Sequence, residues 1–163
     1  MRNIFLLPIL MGAFISSPTF AASHHRHGHP NAAQIVPSDW RIQQTDPHWR
    51  GHRYTSPDGS SWFAAYSTPA DGASGRINPM TSLPGEQITY QKRESDWGAI
   101  SGFKGSKIFY RKAVLACGGT VWHAIAFEYP AARKREMDSF VIRASHSIDQ
   151  AENDSCAGPR ERG

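Results

Sequence analysis

Only two cysteines occur in this chain, and no apolar run is long enough to cross a bilayer comfortably. None of the short motifs that announce familiar chemistry is present either. Cys117 and Cys156 do not form a Cys-x-x-Cys pair, and neither has a histidine at zinc-finger spacing, which argues against a dithiol redox centre or a structural zinc site. There is no Gly-x-Ser-x-Gly elbow, no His-Glu-x-x-His pair and no Cys-x-x-Cys-His haem site. Gly102, Gly105, Gly118 and Gly119 read as turn residues, because no helix start follows them to complete a phosphate-binding loop. Acid is scarce, with 14 Asp and Glu against 18 Lys and Arg, giving a net charge of +4. The excess base is scattered. Lys104, Lys107, Arg111 and Lys112 fall in strand patterns, and Arg133, Lys134 and Arg135 fall in a helix with acids nearby, so nucleic acid is not an expected partner. No internal repeat is visible.

The first residues are the most informative. Arg2 precedes an apolar run from Ile4 to Ile15 that only Pro8 and Gly12 interrupt, Ser16-Ser17-Pro18 breaks it, and Thr19-Phe20-Ala21 places small residues three and one before a cut. This is the layout of a cleavable export signal over residues 1–21. An uncleaved anchor is the rival reading, but a span needs about 20 apolar residues. No cysteine follows for lipid attachment, so the mature chain is expected to have no membrane span and to be exported, in a Gram-negative host to the periplasm. Loss of Arg2 would lower the net charge to +3. About 140 residues remain, enough for one domain with one core. In an oxidising compartment Cys117 and Cys156 are expected to pair. The bridge would close a loop of about 40 residues, with an idealised entropic stabilisation of about 4 kcal/mol.

Residues 22–38 carry histidines, Gly28, Pro30 and small side chains without apolar periodicity, and read as a disordered histidine-rich tail. A single domain is expected over 39–150, followed by a terminal segment, 151–163, tethered by the disulfide. Two stretches, His52–Thr55 and Ser60–Ser67, flank Ser56-Pro57-Asp58-Gly59, the composition of a hairpin turn, with Trp62, Phe63 and Tyr66 as heavy anchors. Thr68 to Gly85, rich in Pro, Gly, Ser and Ala, reads as a long loop. From Glu86 a meander begins. Ile88, Tyr90 and Lys92 alternate with Gln87, Thr89, Gln91 and Arg93, and Trp97–Phe103 follows. Lys104-Gly105 then turns into Ser106–Cys117, and Gly118-Gly119 into Thr120–Tyr129. With a two-residue turn at Gly118-Gly119, Val114 should face His123 and Leu115 should face Trp122. Pro130 suits a helix start, and Met137, Phe140, Val141, Ala144 and Ile148 recur at helical spacing. Strand Thr120–Tyr129 and the helix after it have similar lengths and run in opposite directions. The helix end therefore returns towards the tip bearing Cys117, from which Cys156 is reachable. The expected fold is α+β: one antiparallel sheet of about six strands, an amino-terminal hairpin plus a meander, with a carboxy-terminal helix packed on it.

The segments Gly85-Glu86-Gln87-Ile88-Thr89-Tyr90-Gln91, Trp97 to Gly105, Ile108-Phe109-Tyr110-Arg111-Lys112, Cys117 to His123 and Glu128-Tyr129-Pro130 resemble a family of small exported bacterial proteins with no assigned function. The likeness covers about Asp39 to Ile148 and implies no activity. More loosely, strands ending in a helix with Met137-Asp138, Phe140-Val141 and Ser145-His146-Ser147-Ile148 resemble the PsbP-like α/β/α fold, whose thylakoid members act as accessory proteins. That resemblance implies a non-catalytic role.

Three kinds of chemistry are candidates. Cleavage after Ala21 or Ala22 would leave His24 or His25 third from a free amine. An α-amine, two backbone amides and that imidazole can offer Cu(II) or Ni(II) four nitrogens in a square plane. His27 and His29 would widen the site to zinc or Cu(I). Copper, nickel and zinc are thus the candidate metals, and His24, His25, His27 and His29 the candidate ligands. A hydrolase would draw on His123, Asp138 and a serine such as Ser101 or Ser145, or on a carboxylate pair among Glu86, Glu94, Asp96 and Glu128. Spacing alone brings none of these together, and a histidine among apolar neighbours is more often part of a core. A binding role would use Trp97, Tyr110, Trp122 and Tyr129 against a sugar or peptide, although such side chains also fill small cores. The leading expectation is an exported accessory or binding protein with an unidentified partner and no catalytic residues. Metal binding through the tail is the first alternative and a periplasmic hydrolase the second.

Overall fold

The computed structural model describes residues 32–43, 51–70 and 78–150. Among them, seven strands form one antiparallel sheet with a carboxy-terminal helix packed on it, an α+β arrangement. In chain order these are α1 (Ala32–Ile35), β1 (Arg41–Gln43), β2 (Gly51–Thr55), β3 (Trp62–Pro69), β4 (Glu86–Arg93), β5 (Trp97–Lys104), β6 (Lys107–Ala116), β7 (Val121–Pro130) and α2 (Lys134–Gln150). The sheet order is β1-β2-β3-β7-β6-β5-β4. Two meanders, β1 to β3 and β4 to β7, therefore meet where β3 pairs with β7.

Six of these strands match the sequence pattern. The seventh, β1, is three residues long, too short for alternation to show, and takes its place by pairing Ile42 with Tyr54. The amino-terminal side also differs from the expected tail. Ala32–Ile35 forms a helical turn, and Ile35, Val36 and Trp40 pack against the main core. The apolar residues there are too few to show a period. Burial against the domain orders them.

The hairpin between β2 and β3 closes through Ser56. Its backbone N–H donates to the Ser61 carbonyl, and Asp58 accepts from the side chains of Ser56 and Ser60. Arg133, just before α2, donates to Asp58, Ser60 and Ser61, so the hairpin turn and the helix start are tied together. At the other end of the sheet the register is the one expected, with Val114 opposite His123 and Leu115 opposite Trp122. The turn is longer than two residues. Pairing stops at Ala116 and Val121, and Cys117–Gly119 forms a 3-10 turn. Cys117 itself adopts φ 55°, a left-handed conformation rare for a residue with a Cβ, and its carbonyl accepts from Thr120 Oγ1.

One face of the sheet carries Tyr54, Phe63, Ala65, Val114, Ile125, Phe127 and Tyr129 beneath Met137, Phe140, Ala144 and Ile148 of α2. Phe63, Phe127 and Phe140 meet with ring centres 4.7 to 5.2 Å apart. Full burial of one such ring contributes about 1.5–3 kcal/mol. The opposite face holds a smaller core of Ile100, Phe109, Ala113 and Ala124. Met80, from the segment that reads as a loop, covers it.

In β4 the simple alternation fails. Ile88 pairs with Gly102, but Tyr90 pairs with Ser101, so Thr89 is an extra residue and the strand has a bulge. Ile88 consequently joins the smaller core, and Tyr90 points to the helix-bearing side. The bulge depends on a close approach that only glycine allows. A Cβ on Gly102 would stand 1.9 Å from the Gln87 carbonyl oxygen. Gly102→Ala is therefore expected to destabilise the fold by about 1–3 kcal/mol and to loosen β4. Urea denaturation and amide exchange across 86–93 read this directly. An unchanged midpoint would mean that β4 is not held against Gly102.

Candidate binding face

The helix α2 covers β3, β7 and β6 but leaves the β5–β4 wing of the same face open. Successive cross-strand pairs bring the aromatics together there. Tyr90, Ser101, Tyr110 and Phe127 form one row, and Phe103, Ile108 and Tyr129 form the next. The outer members of both rows are uncovered, Tyr90 at 51% and Phe103 at 43% exposure. Small Ser101 lies between Tyr90 and Tyr110 and leaves the floor low. Its hydroxyl is turned to the Phe109 carbonyl.

The helix supplies the wall. Ser145 Oγ lies 3.1 Å from Tyr110 Oη, and Lys112 Nζ donates to the Ser145 carbonyl and the Asp149 carboxylate. Ile142 lies three residues before Ser145, on the stripe that α2 turns towards β6. It remains 55% exposed. At the far end the Trp97 ring is flanked by two ammonium groups, Lys92 Nζ at 4.9 Å and Lys112 Nζ at 5.5 Å from its centre. An aromatic platform with one cation-stacked edge and hydroxyl tips can contact a ligand that has both apolar and polar faces.

A buried ion pair fixes the wing from behind. Glu86 on β4 and Arg111 on β6 meet across β5, with Arg111 Nη1 donating to Oε1 at 2.8 Å and Nη2 to Oε2 at 2.6 Å. Both side chains are buried, and Arg111 also donates to the Thr81 carbonyl and lies over the Phe109 ring. Burial alone would raise the Glu86 pKa, but the Arg111 hydrogen bonds, the Leu83 N–H and the charges of Arg111 and Lys104 outweigh it and hold the carboxyl below its ordinary value. Its contribution to stability is thus present above the ordinary carboxylate pKa. It is lost as pH falls through the lowered folded value.

Of the four aromatics singled out by sequence, Trp97 and Tyr110 border the open wing. Tyr129 shares this face but is buried in the main core, and Trp122 lies on the other side of the sheet. Tyr90 and Phe103 are the residues sequence missed. Period-two alternation puts Tyr90 with Ile88, and nothing local marks the bulge except the lack of a side chain on Gly102, two strand positions away from any obvious motif. The hydrolase residues do not converge. Ser101 and Ser145 are bonded elsewhere, Asp138 pairs with Lys134, and His123 faces Ser67. Glu86 is held by Arg111, Glu94 by Lys92, and Glu128 by Lys104 and Lys107.

His24, His25, His27, His29 and Cys156 lie outside the described residues. Among the described residues no group of three or more His, Cys, Asp and Glu side chains is placed to hold a metal ion, and no helix is long and apolar enough to cross a membrane. Breaking a buried pair by removing one partner costs about 3–5 kcal/mol. Glu86→Gln is expected to lose stability on that scale and to raise amide exchange in β4 before it does so in β7. Equal protection of both strands in the variant would show that the pair does not hold the wing. No protein-family model and no curated protein matches this chain.

Proposed function

We propose that the chain is an exported, non-catalytic accessory protein that binds a partner through the β5–β4 wing. The observation that carries this reading is the exposure of Tyr90 and Phe103 on the helix-bearing side of the sheet, beside Trp97 and Tyr110. Single exposed apolar residues are ordinary, but a cluster rimmed by polar groups marks a contact surface. A glycan or an extended peptide suits it, since both offer apolar faces and hydrogen-bonding edges. The Cys117–Cys156 bridge belongs to the same reading. α2 ends at Gln150 after running towards the Cys117 tip, and no free cysteine stands among the described residues.

Trp97 provides the readout. Neutral oligosaccharides and short peptides titrated against the protein should change its fluorescence, and nuclear magnetic resonance shifts should cluster at Tyr90 and Phe103. The double variant Tyr90→Ser, Phe103→Ser should keep the fold and weaken binding at least about tenfold, the loss expected for two anchors at about 1 kcal/mol each. A ligand bound equally well by that variant would overturn the assignment.

A second reading rests on the histidines at the third position after either cleavage bond: the tail binds Cu(II) or Ni(II) through the new amine and His24 or His25. Intact mass of the exported protein should then show a start at Ala22 or Ser23, two hydrogens missing for the disulfide, and one retained copper against competing free histidine. A start elsewhere, or copper stripped by the competitor, removes this reading.

A further inference from the structure

His123 and Ser67 are paired residues of β7 and β3 on the side of the sheet that α2 covers. Both are buried, and Ser67 Oγ lies 2.8 Å from His123 Nδ1. The other ring nitrogen, Nε2, is buried with no hydrogen-bond partner. A neutral ring tolerates this, because one nitrogen can remain unprotonated. An imidazolium does not, since both nitrogens then carry protons and a buried charge has no acceptor at Nε2.

The charged groups on this face make matters worse for a cation. On the same face of the sheet as His123, β6 contributes Lys112, two residue pairs along from the Val114–His123 pair. The Asp149 carboxylate of α2 already holds that lysine. β3 contributes Ser67 and no ionisable group, β5 contributes Trp97, Ala99 and Ser101, β4 contributes Lys92, and β2 contributes His52. His146 and Arg143 of α2 are exposed. The free carbonyls at a helix carboxy terminus favour a cation, but Lys112 takes that position by donating to the Ser145 carbonyl.

We infer that His123 is an acid-sensitive latch: proton uptake from solvent at its ring releases the last turns of α2 from the sheet. Ile148, fully buried near the end of α2, belongs to the same core cluster as Val114, the cross-strand partner of His123. Burial holds the ring below the ordinary histidine range, which agrees with this direction. The neutral ring stabilises the closed helix above the ordinary pKa of about 6.5. That contribution falls away as pH drops from there through the lowered folded value.

Amide exchange across 141–150 in the full chain, corrected for intrinsic rates, tests the latch at about pH 7.5 and about pH 5. Protection in the wild type is expected to fall by about threefold or more between the two, because the open form takes up the proton more readily than the closed one. His123→Gln, which cannot take up the proton, should show equal protection at both. Unchanged protection in the wild type, or an equal fall in the variant, overturns the proposal. Where the variant does not fold, the His123 ring resonance of the wild type decides. Titration in step with the amides of 145–149 supports the latch, and titration in the ordinary range with those amides unmoved overturns it.

Discussion

The eight-residue pairing of β3 with β7 makes one sheet out of two meanders, and every later feature hangs on it. It sets Phe63 beside Phe127, which gives Phe140 a flat aromatic seat and fixes where α2 lies. It sets Ser67 beside His123. Because it joins the meanders at their last and third strands, it puts the helix near the middle of the sheet and leaves β5 and β4 beyond its reach. A helix about 10 Å wide covers two or three strands spaced about 4.8 Å apart, so among the described residues α2 alone leaves part of one face of the seven-stranded sheet uncovered.

What fills that open part distinguishes a contact surface from an ordinary outer face. Solvated strands usually alternate polar side chains outward. On the wing, the outward positions include Tyr90 and Phe103 beside the polar Gln87 and Lys92, and the inward ones include a buried charge pair, Glu86–Arg111, beside Ile88 and Ile100. Two exposed aromatic rings thus stand on the front of strands that an ion pair ties together from behind.

Much of the architecture was legible because its signals are local and periodic. The meander from Glu86, the register across the Gly118-Gly119 turn and the apolar stripe of α2 all follow from spacing within one or two elements. The misses share a different cause. β1 and the turn at Ala32–Ile35 are too short to have a period and are ordered by packing with distant residues. Period-two spacing groups Tyr90 with Ile88, whereas the bulge that separates them is decided by the neighbouring strand, where Gly102 admits the Gln87 carbonyl. Ser67 was not connected with His123 because 56 residues separate them and only the β3–β7 pairing closes that distance. The charged residues considered for hydrolysis were identifiable, but whether a carboxylate is spent on an ion pair is a property of the fold.

The same extra residue at Thr89 has a consequence for what can join the sheet. β4 is one of its two outer strands, eight residues long, with backbone donors and acceptors directed outward. Such a border is a template on which another chain can add a strand and aggregate. The bulge breaks that template in the middle, so an incoming strand finds no uninterrupted ladder, and Lys92 and Arg93 add positive charge towards its end. At the opposite border β1 offers only three residues. One irregularity thus both presents an aromatic ring to solvent and keeps the sheet finite.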